Sequence, residues 1–499
     1  MIKILAMKEL LDQLSSPKFV FLFAVSTVLV VFSMYTGSSA YVGARAEYQA
    51  TQALSRSEIE NRRSYDELSQ YGVKVARAPA PLSAVAGGVG SALGRSARVR
   101  PDAQPEMAPP PIADTPVLAV LGELDFNVVA RVFLSLFVIL LTYNAVAGEK
   151  EGGTLKAVLA NPVPRTQLLL GKALGLFGTL LAAVVVPAIL GVLVMKVGFG
   201  VALSGSAWLR LLGIAASCGL YLLAIFAVGL LVSTLTTRSS VALLVLLLVW
   251  VAFVEVIPKA SPMLAGQLRP APSFATLQSE RDRIQADFQQ GMFRTFSRTF
   301  AAVGTTNVNT PEEQEARQHV IDSLVNRGRD SLSQERDAKL QRLEEGYRNQ
   351  QDAMTNLSLV FARLSPAEAM SHAVEVLAGT DFDTHRAWRD DLVAYRRELE
   401  AYLKSKGVQF GGFRIAIRTQ SSQGGRGASA GHQSNSITFG GPSSADTRLD
   451  LSTLPRFSPQ TESFLGSLGR AAPDLLILGL WATVALLLAF AKFLKYDVR

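Results

Sequence analysis

Residues 168–195 read LLLGKALGLFGTLLAAVVVPAILGVLVM, residues 208–235 read WLRLLGIAASCGLYLLAIFAVGLLVSTL, and residues 241–257 read VALLVLLLVWVAFVEVI. A hydrocarbon layer takes about 20 apolar residues of helix, with about 17 at the short end, and each run meets that length. Their charges, Lys172, Arg210 and Glu255, stand near the ends. In lipid, a lone chain segment satisfies its backbone polar groups only as an α-helix. The three runs therefore predict three membrane-spanning helices, with a kink at Pro187 and an interfacial anchor at Trp208.

Working outward, Phe19 to Thr36, Phe126 to Val146 and Leu475 to Phe490 add three more spans. The expected fold class is an all-α integral membrane protein of six transmembrane helices. An N-terminal amphipathic interfacial helix and a mainly helical extracytoplasmic insertion complete it. The expected boundaries are an interfacial helix at 1–17, spans at 18–37, 126–147, 168–196, 207–236, 239–257 and 472–493, and a tail at 494–499. Between them lie an extracytoplasmic, partly disordered loop at 38–125, a short charged link at 148–167 and the insertion at 258–471. In the first 16 residues, Ile4, Leu5, Leu11 and Leu14 share a face opposite Lys3, Lys8 and Asp12 until Pro17 breaks the helix. Ser38-Ser39-Ala40 is tolerable as a signal-peptidase site, although the long lead-in with Glu9 and Asp12 argues against cleavage.

The polar parts have their own signals. Glu47 to Tyr71 can form a helix, whereas Ala78 to Pro116 is rich in Ala, Pro and Gly and is expected to be loosely ordered. Arg131 interrupts the second span and is expected to snorkel or to pair with Asp125 or Glu123. In the insertion, Arg281 to Phe300 has helical spacing, and Thr310-Pro311-Glu312-Glu313 is a helix start. Further helices run over Pro366 to Leu377 and Thr384 to Leu403, broken at Gly379. Gln420 to Ser444 is Gly/Ser-rich and reads as a flexible loop.

Net charge is +8, but Lys and Arg are scattered, so no nucleic acid partner is expected. Cys218 is the one cysteine, so no intramolecular disulfide forms; it reads as a small packing residue in a span. The four histidines lack metal-ligand spacing, and neither a metal site nor a catalytic residue is expected. His372, Asp381, Asp383 and His385 read as a solvated helical surface, and Glu255 as a snorkelling charge. Basic residues cluster at Lys3, Lys8 and Lys18, at Lys150, Lys156, Arg165 and Lys172, and at Lys492, Lys495 and Arg499. The positive-inside rule puts all three groups, and both termini, in the cytoplasm. Lys196 and Arg210 flank the opposite loop and are expected to snorkel.

The link carries the functional signal. It reads Gly148-Glu-Lys-Glu-Gly-Gly-Thr-Leu-Lys-Ala-Val-Leu-Ala-Asn-Pro-Val-Pro-Arg165. Glu149 and Glu151 follow a span, Gly152-Gly153-Thr154 forms a turn and cap, and Leu155 to Leu159 a short amphipathic helix. Asn161-Pro162-Val163-Pro164 ends that helix. This stretch resembles the Glu-x-Glu-x-Gly-Thr-Leu, Leu-x-x-Pro-x-x-Arg, Lys pattern of ABC-2 type permeases, with Asn144 where that pattern has an acidic residue. Lys8-Glu9-Leu10 and Ser16-Pro17-Lys18-Phe19 resemble the same family's amphipathic entry. Leu364-Ser-Pro-Ala367, Ala378-Gly-Thr-Asp381, Leu454-Pro-Arg-Phe457 and the C-terminal Ala491 to Arg499 resemble a subgroup with a large insertion before the last helix.

The resemblance implies ATPase-coupling roles for Glu149, Glu151, Gly153, Thr154, Leu155, Leu159, Pro162, Arg165 and Lys172. It implies a coupling helix docked on a separate ABC ATPase subunit, a second permease copy or paralogue, and a bacterial inner-membrane location. No Gly-x-x-x-x-Gly-Lys-Ser/Thr occurs, so no cofactor is expected in this chain, and ATP and magnesium are expected on the partner. Two functions stay open. One is substrate movement, mainly outward. The other is an ATP-driven mechanical complex that acts on an extracytoplasmic accessory protein without transport. A membrane enzyme would need a catalytic constellation that the sequence does not offer.

Overall fold

The computed structural model describes residues 2–90, 92–109, 124–160, 164–303, 311–408, 414–420, 434–440, 450, 452–460 and 462–496. The protein is an all-α multi-pass membrane protein. Among the described residues six helices are long and apolar enough to cross a membrane: Pro17–Glu60, Phe126–Glu151, Arg165–Gly198, Gly205–Leu235, Ser239–Leu268 and Phe464–Leu494. They are called here the first to sixth spans.

The N-terminal helix (Ile2–Leu14) packs along the third span. A Cβ at Gly175 would stand 2.6 Å from Glu9 Cβ and 2.7 Å from the Ala6 carbonyl, and one at Gly171 2.7 Å from Leu5 Cβ. These small residues bring the two backbones together. Ile4, Met7 and Leu11 remain exposed on the far side. Ser16 then accepts a hydrogen bond from Phe19 N and starts the first span, with Pro17 in its first turn.

The first span does not stop near residue 37. It continues for 44 residues, ~66 Å, about twice the hydrocarbon thickness. No proline interrupts residues 18–60, so the helix runs on, and Gly37 permits contact with the Ala84 carbonyl, which a Cβ would approach to 2.1 Å. Ser38-Ser39-Ala40 lies within this unbroken helix.

Within the stretch expected to be loosely ordered, residues 78–90 and 92–109 are built, and residues 91 and 110–116 lie outside the described ones. Strands β1 (Val73–Ala76), β2 (Ser96–Val99) and β3 (Glu106–Met107) form an antiparallel sheet in that order, with Val73 opposite Val99 and Val75 opposite Ala97. Those four residues face Trp388, Leu392, Tyr395, Leu399 and Leu403 of helix Phe382–Ser405. Four-residue strands among Pro and Gly have too little alternation to stand out in sequence. The partner face comes from a helix some 300 positions later. In the Gly/Ser-rich region, strands β4 (Arg414–Gln420) and β5 (Ser434–Gly440) pair antiparallel, and residues 421–433 and 441–449 lie outside the described ones.

Helices Phe274–Val303 and Pro311–Ala362 form an antiparallel hairpin. Arg281 meets Glu344 at 2.8 Å, and Gly291 faces Leu332. Thr310, the expected cap, lies outside the described residues. The chain then re-enters the bundle as helix Pro366–Ala378, capped by Ser365 and stopped by Gly379 at φ 73°. It is buried among the spans: Met370 Sδ lies 3.9 Å from Cys218 Sγ, and Leu377 closes on Gly213.

This re-entry corrects several expectations. Arg131 pairs with Glu368 at 2.7 Å, and Glu123, one of its two expected partners, lies outside the described residues. Asp125 caps the second span and also accepts from Gly87 N. His372, Asp381 and His385 are not a solvated surface. Asp381 and His385 are buried, and His372 Nδ1 lies 2.7 Å from Asp474 Oδ2. Asp474 is wholly buried on the sixth span and also meets Arg363 Nε at 2.7 Å. Two π-helical turns, Val129–Leu134 and Ala252–Val256, mark the same zone. There the Arg131 carbonyl accepts from Tyr221 Oη and Ser135 Oγ, and the Phe253 carbonyl from Ser365 Oγ. Glu255 pairs with Lys259, Lys196 stacks over Trp208, and Arg210 donates to the Glu462 carbonyl.

Two outcomes follow from this end of the bundle. Asp474→Ala leaves Arg363 without its carboxylate and is expected to cost about 3 kcal/mol or more in thermal unfolding in detergent. An Arg363→Leu/Asp474→Leu pair is expected to recover most of that. Burial, then the Glu368, Asp125 and Asp381 carboxylates, push Glu375 from 4.5 up to about 8, against the pull of Arg131. Its folded value is raised, so its stabilising contribution is complete below pH 4.5 and is lost as pH rises through about 8. Glu375→Gln is expected to flatten the Tm profile between pH 4.5 and about 8, and an unaltered profile would refute the assignment.

Candidate functional site: the link between the second and third spans

The second span loosens after Thr142 into turns and then forms a short helix, Ala147–Glu151. Gly153 adopts φ 70°, which permits the reversal into the link helix Thr154–Leu159. Leu155 is buried and pins that helix, while Gly152, Gly153, Thr154 and Lys156 are exposed. The link helix ends at Leu159. Pro162 lies outside the described residues. The third span starts at Arg165.

The charged residues of the link turn toward helix ends. Every helix leaves unpaired amides at its start and unpaired carbonyls at its finish, with partial charges to match. Lys150 Nζ donates to the Thr234 and Thr236 carbonyls, the latter at 3.0 Å, at the end of the fourth span. Glu151 accepts from Ser239 N at 2.9 Å, at the start of the fifth span. Arg165 Nη1 donates to the Leu494 and Tyr496 carbonyls, both at 2.8 Å, at the end of the sixth span. In each case the sign suits the dipole: cations on the two carboxyl-terminal ends, an anion on the amino-terminal end.

Glu149 works differently. Its Oε1 lies 2.9 Å from Lys172 Nζ, and Glu9 Oε1 of the N-terminal helix lies 3.6 Å from the same ammonium. Lys172 therefore joins the link, the third span and the N-terminal helix through one largely buried charge. Ser233 Oγ accepts from Val146 N and Ala147 N and donates to the Tyr143 carbonyl, sewing the loosened turn to the fourth span. Lys18 donates to Tyr143 Oη at 3.0 Å and brings in the first span.

Of the residues singled out in sequence, Glu149 and Lys172 are brought into direct contact. Glu151 and Arg165 hold separate helix ends, Gly153 and Leu155 shape the link helix, and Thr154 opens it. Sequence reading passed over Ser233 and Ser239, and it noted Lys150 and Glu9 without assigning either a contact at the link. Lys150 stood between two marked glutamates, and its alternating sign was the available signal. Which helix end each charge meets is not encoded locally.

The six long apolar helices, with a short helix gripped between the second and third, define a multi-pass membrane protein. The ABC-2 family transporter protein model matches residues 3–498, and the chain belongs to that family. Among curated relatives, the probable ABC transporter permease protein NosY of Pseudomonas aeruginosa is 52% identical over 46 residues, 9% of this chain and 17% of that protein. The same-named protein of Stutzerimonas stutzeri is 41% identical over 73 residues, 15% of this chain and 22% of that one. The chain thus matches less than a quarter of either relative's length.

The Lys172 junction can be tested by charge exchange. Lys172→Glu sets three carboxylates together and is expected to lower the Tm by several degrees. Adding Glu149→Lys in the same chain is expected to restore most of the loss, because one of the two contacts is rebuilt with reversed sign. Simple additivity of the two losses would show that the contact does not form.

Proposed function

We propose that this chain is the membrane-spanning permease subunit of an ABC transporter. A separate ATPase subunit binds the exposed side of the link helix, and a second permease copy or a related chain completes the assembly. ATP and magnesium belong to the ATPase. The observation that carries the reading is the grip of Lys150, Glu151, Arg165 and the Glu149–Lys172 pair on four different spans and the N-terminal helix. A push on the link helix reaches all of them together. The Gly-rich, exposed turn at Gly152-Gly153-Thr154 beside Lys156 provides a surface for the partner.

In this reading the link and both termini face the cytoplasm of a bacterial inner membrane. Lys18, Lys150, Arg165 and Lys172 gather at that end with the end of the sixth span, which supports the positive-inside orientation. Movement of substrate is outward. The likeness to proteins named as probable permeases supports the transport role.

One observation favours a second reading, ATP-driven mechanical work on an extracytoplasmic partner. Hairpin helix Phe274–Val303 alone is ~45 Å long, a lever that substrate passage does not require.

Glu149→Lys/Glu151→Lys is expected to leave the ATPase bound through the link helix, while abolishing the coupling of ATP hydrolysis to function, because the two carboxylates hold Lys172 and the Ser239 amide. Lys156→Cys with a short crosslinker is expected to capture the ATPase from native membranes, identified by mass spectrometry. Purification of the chain alone under those conditions, or intact coupling in the double variant, overturns the proposal. Stimulation of hydrolysis by a substrate selects transport, and stimulation only by an envelope protein selects the mechanical reading.

A further inference from the structure

Away from the link, arginines collect where hairpin helix Pro311–Ala362, helix Phe382–Ser405 and the β1–β3 sheet meet. Arg386 Nη2 lies 3.0 Å from Asp352 Oδ1 and bridges the two helices. Arg348 stands one turn before Asp352 on its helix, and Arg389 one turn beyond Arg386 on the other. Arg386 Nη1 also reaches Asp383 Oδ1 at 3.4 Å, and the pairing does not extend to Arg389. Among the described residues Arg389 makes no ion pair, and its Nε is buried without an acceptor, as is the Nε of Arg386.

The nearby acids are occupied. Glu344 is held by Arg281 at 2.8 Å and reaches Arg348 only at 3.5 Å. Gln104 Oε1 lies 3.4 Å from Arg348 Nη2. Asp381 belongs to Arg470 at 2.6 Å, and Asp390 is exposed. Arg77 spends its Nη2 on the Gly379 carbonyl at 3.0 Å.

The electrostatics agree with that geometry. Burial lowers the Arg389 pKa most; Asp352 raises it in part, and Arg348 and Arg386 lower it again. Burial, then Arg389 and Arg77, push the neighbouring His385 down to about 4, so it adds no charge at neutral pH. Holding several half-buried guanidinium groups together is unfavourable unless an anion sits among them. Their planar donor forks match the oxygens of carboxylates and phosphates.

We propose that Arg348, Arg386 and Arg389 form a binding site for a water-soluble oxyanion, a carboxylate or phosphate group, in the extramembrane domain. Soluble anions and lipid phosphates share this chemistry, and the test below separates them by varying the soluble anion at constant phosphatidylcholine. Arg348 stands 15 residues before Arg363, which follows its helix and meets the sixth span at Asp474.

The test uses the full-length protein in phosphatidylcholine nanodiscs, with thermal unfolding read in potassium phosphate, potassium acetate and potassium chloride at matched ionic strength. Phosphate or acetate is expected to raise the Tm by several degrees above chloride, and the better of the two names the ligand class. Arg348→Gln/Arg389→Gln is expected to lose that rise while showing an equal or higher Tm in chloride, because its repulsion is relieved. A purely structural role would lower the Tm in chloride instead. Should the double variant fail to purify, Arg389→Gln alone is read in the same way. No anion-specific rise in the unaltered protein, or an equal rise in the variant, overturns the site. So does a destabilised variant of an unresponsive protein, which would mean that a carboxylate of the chain itself fills the gap.

Discussion

A helix that stops at a membrane surface leaves carbonyls or amides unpaired, and the link of this protein supplies charges that satisfy them. Lys150, Glu151 and Arg165 take the ends of the fourth, fifth and sixth spans, and each carries the sign opposite to the dipole it meets. Lys172 adds the N-terminal helix and the third span through Glu9 and Glu149. The bundle's connectivity at this end therefore rests on about twenty residues. Most of these contacts are partly exposed, where water and salt weaken them, and Lys172 is the more buried exception. Their value lies in fixing relative positions more than in stability. A rim held by several modest contacts can shift as a unit without unfolding the spans, whose packing is supplied by the buried apolar residues.

The opposite end is tied by a different device. Helix Pro366–Ala378 returns among the spans and brings Glu368 to Arg131, while Asp474 holds Arg363 and His372. Asp474 is wholly buried, and desolvation makes its contacts unforgiving of a lost partner. The π-helical turns in the second and fifth spans belong to the same arrangement, since they free the Arg131 and Phe253 carbonyls to accept side-chain hydrogen bonds. The two ends thus differ physically: a screened, helix-end clamp at the link and a dry, ion-paired plug at the insertion.

Much of this was legible in the chain. Long uncharged runs located the spans, because lipid tolerates few alternatives to an apolar helix. Gly379 marked a helix end, and the Gly152-Gly153-Thr154 turn placed the link helix, because both signals act over a few residues. The failures share a cause. The first span outlasted its apolar run because helix continuation needs only the absence of a breaker, which hydropathy does not report. The β1–β3 sheet was missed because its four-residue strands are stabilised by Trp388, Leu392 and their neighbours, far away in sequence.

By itself the sequence determined the six-span helical class, the amphipathic N-terminal helix and the position of the link, since each depends on local composition and spacing. Tertiary structure alone decided where the charges go. Arg131 had near neighbours of the right sign and chose Glu368, 237 positions away. Asp474, His372 and Arg363 became one cluster, and Glu151 became a cap for a helix that begins at Ser239. A charge pairs with whatever group the packing of the spans brings within about 3 Å while both lose water. Hydropathy, periodicity and motif spacing contain no record of that meeting.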